Sequence, residues 1–104
     1  MLFKELIIAI VNQGHSELVM NAAKQAGARK GTVISGEAFA DTNLSDVIQI
    51  PTKDKREVVL IICETSIRDA VLRTINDSVS LDSTGRGMVF SLPVEKYFDT
   101  DNLI

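Results

Sequence analysis

One unit used twice limits the folds open to this chain more than any other feature. Leu6-Ile7-Ile8 returns as Leu60-Ile61-Ile62, 54 positions on. "RKGTVIS" at 29–35 aligns with "GRGMVFS" at 85–91, 56 positions on. Two matches at nearly one offset argue for a duplicated β-α-β unit. Each copy reads as an apolar strand, a helix-start signal, an amphipathic helix, a glycine beside a basic residue, and a second apolar strand.

In the first copy, "FKELIIAIV" at 3–11 predicts a central strand. Ser16 is the expected N-cap, with Glu17 in the first turn. Val19, Ala22, Ala23 and Ala26 fall on one helical face, and Gly27 stops the helix. A second strand follows at about 30–36. In the second copy, "EVVLIIC" at 57–63 predicts a strand. Ser66 is the expected cap, with Asp69 at N3. Ile67, Ala70, Val71, Thr74 and Ile75 are the expected buried face. "SVSLDSTGRG" at 78–87 reads as loop, and "MVFSLPV" as the last strand, with Pro93 ending its pairing.

The order β-α-β-β-α-β is the ferredoxin-like α+β arrangement, an antiparallel sheet with two helices on one face. The strands are apolar on both sides, so the face without helices needs a cover, and oligomerisation supplies one. Residues 36–56 are too long for a hairpin turn and weakly periodic, which predicts a functional loop that is mobile without a partner. The segment from Glu95 onward reads as an acidic C-terminal tail.

At 104 residues the chain is expected to be a single domain. Its net charge of −3 gives no general attraction to nucleic acid or to an anionic membrane. No apolar run reaches membrane-spanning length, and the single cysteine excludes an internal disulfide. The expectation is a soluble cytoplasmic protein that neither binds nucleic acid nor inserts stably into membrane.

Catalytic chemistry finds little to work with. His15, the only histidine, stands at a helix entrance. Cys63 ends a buried-strand run with no basic neighbour in sequence to lower its pKa. Asp99 and Asp101 lie in the tail. No metal spacing, Walker motif or nucleophile elbow is present. The expectation is no catalytic residue, no metal site and no obligatory cofactor. "TGRGMVFSLP" at 84–93 is different. Gly85 and Gly87 would let backbone N–H groups approach an anion, and Arg86 between them adds a fork of donors suited to phosphate. "RKGT" at 29–32 is the equivalent segment of the first copy.

Residues 3–98 resemble the PII-type signal transduction proteins, the nitrogen regulatory P-II family. The likeness rests on "LIIAIVNQGHSELVMNAAKQAGARKGTVI", "IPTKDKREVVLIIC" and "GRGMVFSLPVE". It implies a ferredoxin-like homotrimer that binds an adenine nucleotide (ADP, ATP or AMP) as effector in clefts between subunits. It further implies signalling to a target protein, an enzyme or transporter, through the long loop at 36–56. By this resemblance Gly85, Arg86 and Gly87, within a B-loop-like stretch at 79–87, contact phosphate. Thr32 lies near the adenine, and Ile62 offers its backbone to the base. Met88 follows the second glycine, where the best-known members carry lysine. The loop has no tyrosine to uridylylate, and no paired C-terminal arginines follow. Those departures imply a divergent member. Two other classes fit the fold pattern. One is a sensor of an amino acid or an inorganic anion such as bicarbonate. The other is an acylphosphatase-like enzyme, by fold analogy alone.

Overall fold

The computed structural model describes residues 3–39, 53–81 and 87–100. Four strands form one antiparallel sheet: β1 (Lys4–Asn12), β2 (Gly31–Phe39), β3 (Lys53–Glu64) and β4 (Gly87–Val94), in the order β2-β3-β1-β4. Helix α1 (Ser16–Gln25) follows β1. Helix α2 (Arg68–Leu81) follows β3 through a 3-10 turn at Thr65–Ile67. This is the ferredoxin-like order that the duplicated unit implies. The two copies interleave, so that β1 and β3, one from each, lie side by side at the centre of the sheet.

Strand alternation sorts the side chains onto two faces. Ile7, Ala9 and Val11 of β1 and Val59, Ile61 and Cys63 of β3 are buried beneath Val19, Ala22 and Ala23 of α1 and Val71 and Ile75 of α2. The opposite face carries the even-numbered residues. The registers place Ile62, Leu6 and Leu92 in one row, Thr32, Leu60, Ile8 and Phe90 in the next, and Ile34, Val58, Ile10 and Met88 in a third. Among the described residues no helix covers these rows, and Ile34, Met88 and Leu92 are exposed. Ala70, expected inside, is exposed as well; the buried stripe of α2 runs through Val71 and Ile75, with Ile67, Leu72 and Val79 packed against it.

Both helix starts differ from the local signals. Ser16 is the first helical residue, and His15 occupies the cap position without a side-chain cap bond. The capping group comes from β3. The Glu57 carboxylate accepts from the Gly14 N–H at 2.6 Å, from the Ser16 N–H at 3.3 Å and from the Ser16 hydroxyl at 3.3 Å. A charge at a helix N-terminus satisfies free donors and opposes the helix dipole. Ser66 does not cap α2 either. It sits exposed inside the 3-10 turn, and Asp69 accepts from Arg68 Nε at 3.0 Å rather than completing a capping box. The same Arg68 reaches Glu5, which is buried in β1, at 3.1 Å and so ties the start of α2 to the sheet. The end of α1 agrees with expectation. Gly27 has φ of 107°, Ala28 N–H bonds to the Ala23 carbonyl at 2.9 Å, and Gly27 N–H to that of Lys24 at 3.0 Å. These are the two bonds of a Schellman motif.

Three boundaries move. The β2–β3 ladder continues through Gly36↔Arg56, Glu37↔Lys55, Ala38↔Asp54 and Phe39↔Lys53, so both ends of the expected loop at 36–56 are strand. The rest of that loop, 40–52, lies outside the described residues. Helix α2 extends to Leu81, which takes the first part of the expected 78–87 loop into the helix. Pro93 does not end the pairing of β4: it stands opposite Glu5, and Val94 still pairs with Lys4. β4 is an edge strand of the sheet, where proline is tolerated.

Candidate functional site

The two halves of the sequence-derived site lie on opposite edges of the sheet. Thr32 is on edge strand β2 and Ile62 on its neighbour β3, and both line a shallow cleft of about 50 Å³ with Lys30, Gly31 and Leu60. Gly87 and Met88 open the other edge strand, β4. They border a smaller cleft of about 20 Å³ with Val11, Ile75, Asn76, Val79 and Val89. β3 and β1 stand between the edges, and three strand intervals amount to about 14 Å. One chain therefore does not bring the two halves together. Thr32, Ile62 and Met88 do share the open face, whereas Gly87 belongs to the helix-side register with Val11. Gly85 and Arg86 lie outside the described residues.

Gly87 has a structural duty that the sequence does not reveal. A Cβ at this position would run into the backbone carbonyl of Ile10 and come within 3.0 Å of Val11 Cα. Only glycine lets the start of β4 lie this close to β1.

Other polar groups gather at the two ends of the sheet. At the outer end of the β2–β3 hairpin, Gln13, Ser35, Gly36, Glu37, Lys55 and Arg56 line a cleft of about 250 Å³. At the other end, Lys4, Arg29 and Glu64 border a cavity of about 200 Å³ with Gly27, Ala28, Ile62, Cys63 and Ile67. Sequence reasoning singled out Arg29 and Lys30 as a basic segment. Lys4 and Glu64 gave no signal, because only the β1–β3 register brings them together. Cys63 is buried as expected, and burial together with the Glu5 carboxylate pushes its thiol pKa up, away from the thiolate that nucleophilic chemistry needs. His15 directs Nδ1 at the Asn12 carbonyl, 3.3 Å away. Among the described residues no cluster of three His, Cys, Asp or Glu side chains could hold a metal ion.

Burial would raise the pKa of Glu57, but the N–H groups of Gly14 and Ser16, the Ser16 hydroxyl and the His15 N–H together hold it below the usual carboxylate range. A carboxylate with a lowered folded pKa stabilises the fold above its unfolded pKa, and that contribution disappears as pH falls through the folded value. Glu57→Ala should cost about 1 kcal/mol at neutral pH, the usual worth of an N-cap. Urea titrations of wild type and variant check this. Their midpoints should differ at pH 7 and converge in acid, and a difference that persisted unchanged in acid would contradict the clasp.

No protein-family model and no curated relative matches the sequence. Solved structures do resemble it. The Bacillus subtilis GlnK–ATP complex superposes with a TM-score of 0.68 at 13% identity, covering 89% of this chain and 84% of that one. A second structure of B. subtilis GlnK gives 0.62 at 16% identity, covering 89% and 86%. Arabidopsis thaliana PII bound to citrate gives 0.62 at 21% identity, covering 88% and 78%. At such identities the likeness is one of fold, and the fold of this chain is PII-like.

Proposed function

We propose that this PII-like chain is a regulatory protein rather than an enzyme. Three copies pack their open sheet faces together. An adenine nucleotide, ADP, ATP or AMP, binds in the clefts between them, and the segment at 36–56 carries the signal to a target enzyme or transporter. The observation that carries this reading is the split site: Thr32 stands on edge strand β2 with Ile62 on the adjacent β3, and Gly87 and Met88 stand on the opposite edge strand, β4. A cyclic oligomer sets one edge of each subunit against the opposite edge of the next, which would complete a site at every interface. The uncovered rows around Ile8, Leu60 and Phe90 supply the apolar area such an assembly buries. The ATP bound in the B. subtilis GlnK structure supports a nucleotide as the ligand class. A cytoplasmic location fits this role, and no described helix is long and apolar enough to cross a membrane.

Calorimetric titration with ADP, ATP and AMP tests the proposal. At least one should bind saturably with one site per chain. Arg86→Ala should weaken that binding about ten- to hundredfold, the worth of one charge-assisted hydrogen bond. Failure of all three nucleotides to saturate the protein by about 1 mM, where binding is worth only about −4 kcal/mol, would overturn it.

A further inference from the structure

Two contacts one helical turn apart on α1 join the stem of the β2–β3 hairpin to the cleft beside Thr32. The first is the Glu57 clasp, in which the carboxylate accepts from the Gly14 N–H at 2.6 Å and from the Ser16 N–H and hydroxyl at 3.3 Å each. The Gln13 N–H adds a bond to the Lys55 carbonyl at 3.2 Å, so the entrance of α1 is fastened to β3 through two residues of that strand. Both belong to the hairpin stem: Lys55 pairs with Glu37, and Glu57 with Ser35. The second contact is Met20, about 6 Å along the helix from Ser16. Its Sδ lies over Gly31, 2.5 Å from where a Cβ on that residue would be. With no side chain at Gly31, helix and strand meet directly. β2 is an edge strand, and among the described residues the strand partner of Gly31 is Ile61 alone. The Met20 thioether therefore backs the start of β2 on its helix side. Lys30, Gly31 and Thr32 line the cleft there with Leu60 and Ile62.

Resting on the nucleotide reading of that cleft, we infer that Met20 and Glu57 are its positioning residues: α1 is a rigid link through which the hairpin stem sets where Gly31 and Thr32 stand. Neither residue lines the cleft itself. The bond from the Val19 N–H to the His15 carbonyl, 3.1 Å, closes the first turn of the link. Rigid elements of this kind carry a displacement from one contact to the next. A ligand that shifts Gly31 and Thr32 moves Met20 and with it the clasp. By reciprocity, a change at the stem alters affinity in the cleft by the same factor. The segment at 36–56 thereby gains a physical connection to the site it reports on.

Hydrogen exchange in the ligand-free protein tests the link, read at residues 30–33 of one sheet edge against residues 89–92 of the other. Edge segments exchange by local opening, so the comparison separates a local effect from a global one. Glu57→Ala should speed exchange at 30–33 about three- to tenfold relative to 89–92. A clasp that served stability alone would not single out 30–33. In a Met20→Ala background, Glu57→Ala should add nothing there, whereas independent sites would multiply their effects to within about twofold. Met20→Leu, which keeps an apolar chain over Gly31, should restore the response. An unchanged ratio in Glu57→Ala would overturn the inference, and this variant decides it even where Met20→Ala fails to fold. Effects that multiply in the double variant would overturn it too. In calorimetry, Glu57→Ala should bind whichever of ADP, ATP and AMP binds wild type about three- to tenfold more weakly, and equal affinity would contradict the link. If wild type binds none of the three, the nucleotide reading fails, and exchange in the ligand-free protein still decides the link.

Discussion

Gly87→Ala is expected to destabilise the ligand-free protein by about 3 kcal/mol or more, the upper end of the usual cost of overpacking. A flexible side chain in the path of a new methyl can rotate away. Here the obstacle is the backbone carbonyl of Ile10, in the central strand, and behind it Val11 Cα. Relief requires β4 to lift from β1, which would disturb the ladder from Val11↔Gly87 onward. Denaturant midpoints of wild type and variant measure the effect. The outcome also separates two roles for this glycine. If Gly87 served only to admit a phosphate, Gly87→Ala would keep its stability and lose only nucleotide. A variant with an unchanged midpoint would contradict the packing role.

Ile8→Asp is expected to leave the fold standing and to abolish self-association. Ile8 sits at the middle of the open face, between Leu60 and Phe90, and the helix-side core of Ile7, Ala9 and Val11 lies on the other side of the strand. In a monomer the new carboxylate faces water. In a trimer it is buried without a partner in every subunit, at several kcal/mol per charge. That total exceeds what typical micromolar association supplies, about 8 kcal/mol. Sedimentation velocity at micromolar concentration should show wild type as a trimer and the variant as a folded monomer. Wild type sedimenting as a monomer, or a variant that still forms trimers, would refute the buried face.

The repeat made the fold legible because its apolar runs mark β1 and β3, the two central strands, most strongly. Where burial is one-sided or absent, the signal fails. Glu37 and Phe39 of β2 are exposed, and across the ladder "KDKR" of β3 is charged at every position. Strand there is held by backbone pairing that leaves no hydrophobic period to read. The helix starts failed for a different reason. Ser66 carries a strong local cap signal but lies inside the 3-10 turn ahead of α2, and at α1 Glu57, 41 residues along the chain from Ser16, supplies the acceptor. Such a long-range partner cannot be read from a window of sequence. Serines at 78 and 80 suggested loop, yet the helix continues over them to Leu81. In the candidate site, the residue types and the equivalence of the two segments were readable from the aligned copies. The separation of the halves and the steric reason for Gly87 follow from strand order and register alone.

If each nucleotide site is shared between neighbours, two defective chains should repair one another. Thr32→Glu spoils the β2-side half, and Arg86→Glu spoils the half beside β4. Trimers of either variant alone should bind no adenine nucleotide. Unfolded together and refolded, the two should assort at random, and about one interface in four would then join an intact half from each chain. Calorimetric titration of that mixture should recover about a quarter of the wild-type binding capacity. Mixed trimers that bind nothing, or an unmixed variant that binds as wild type does, would contradict a site built between subunits.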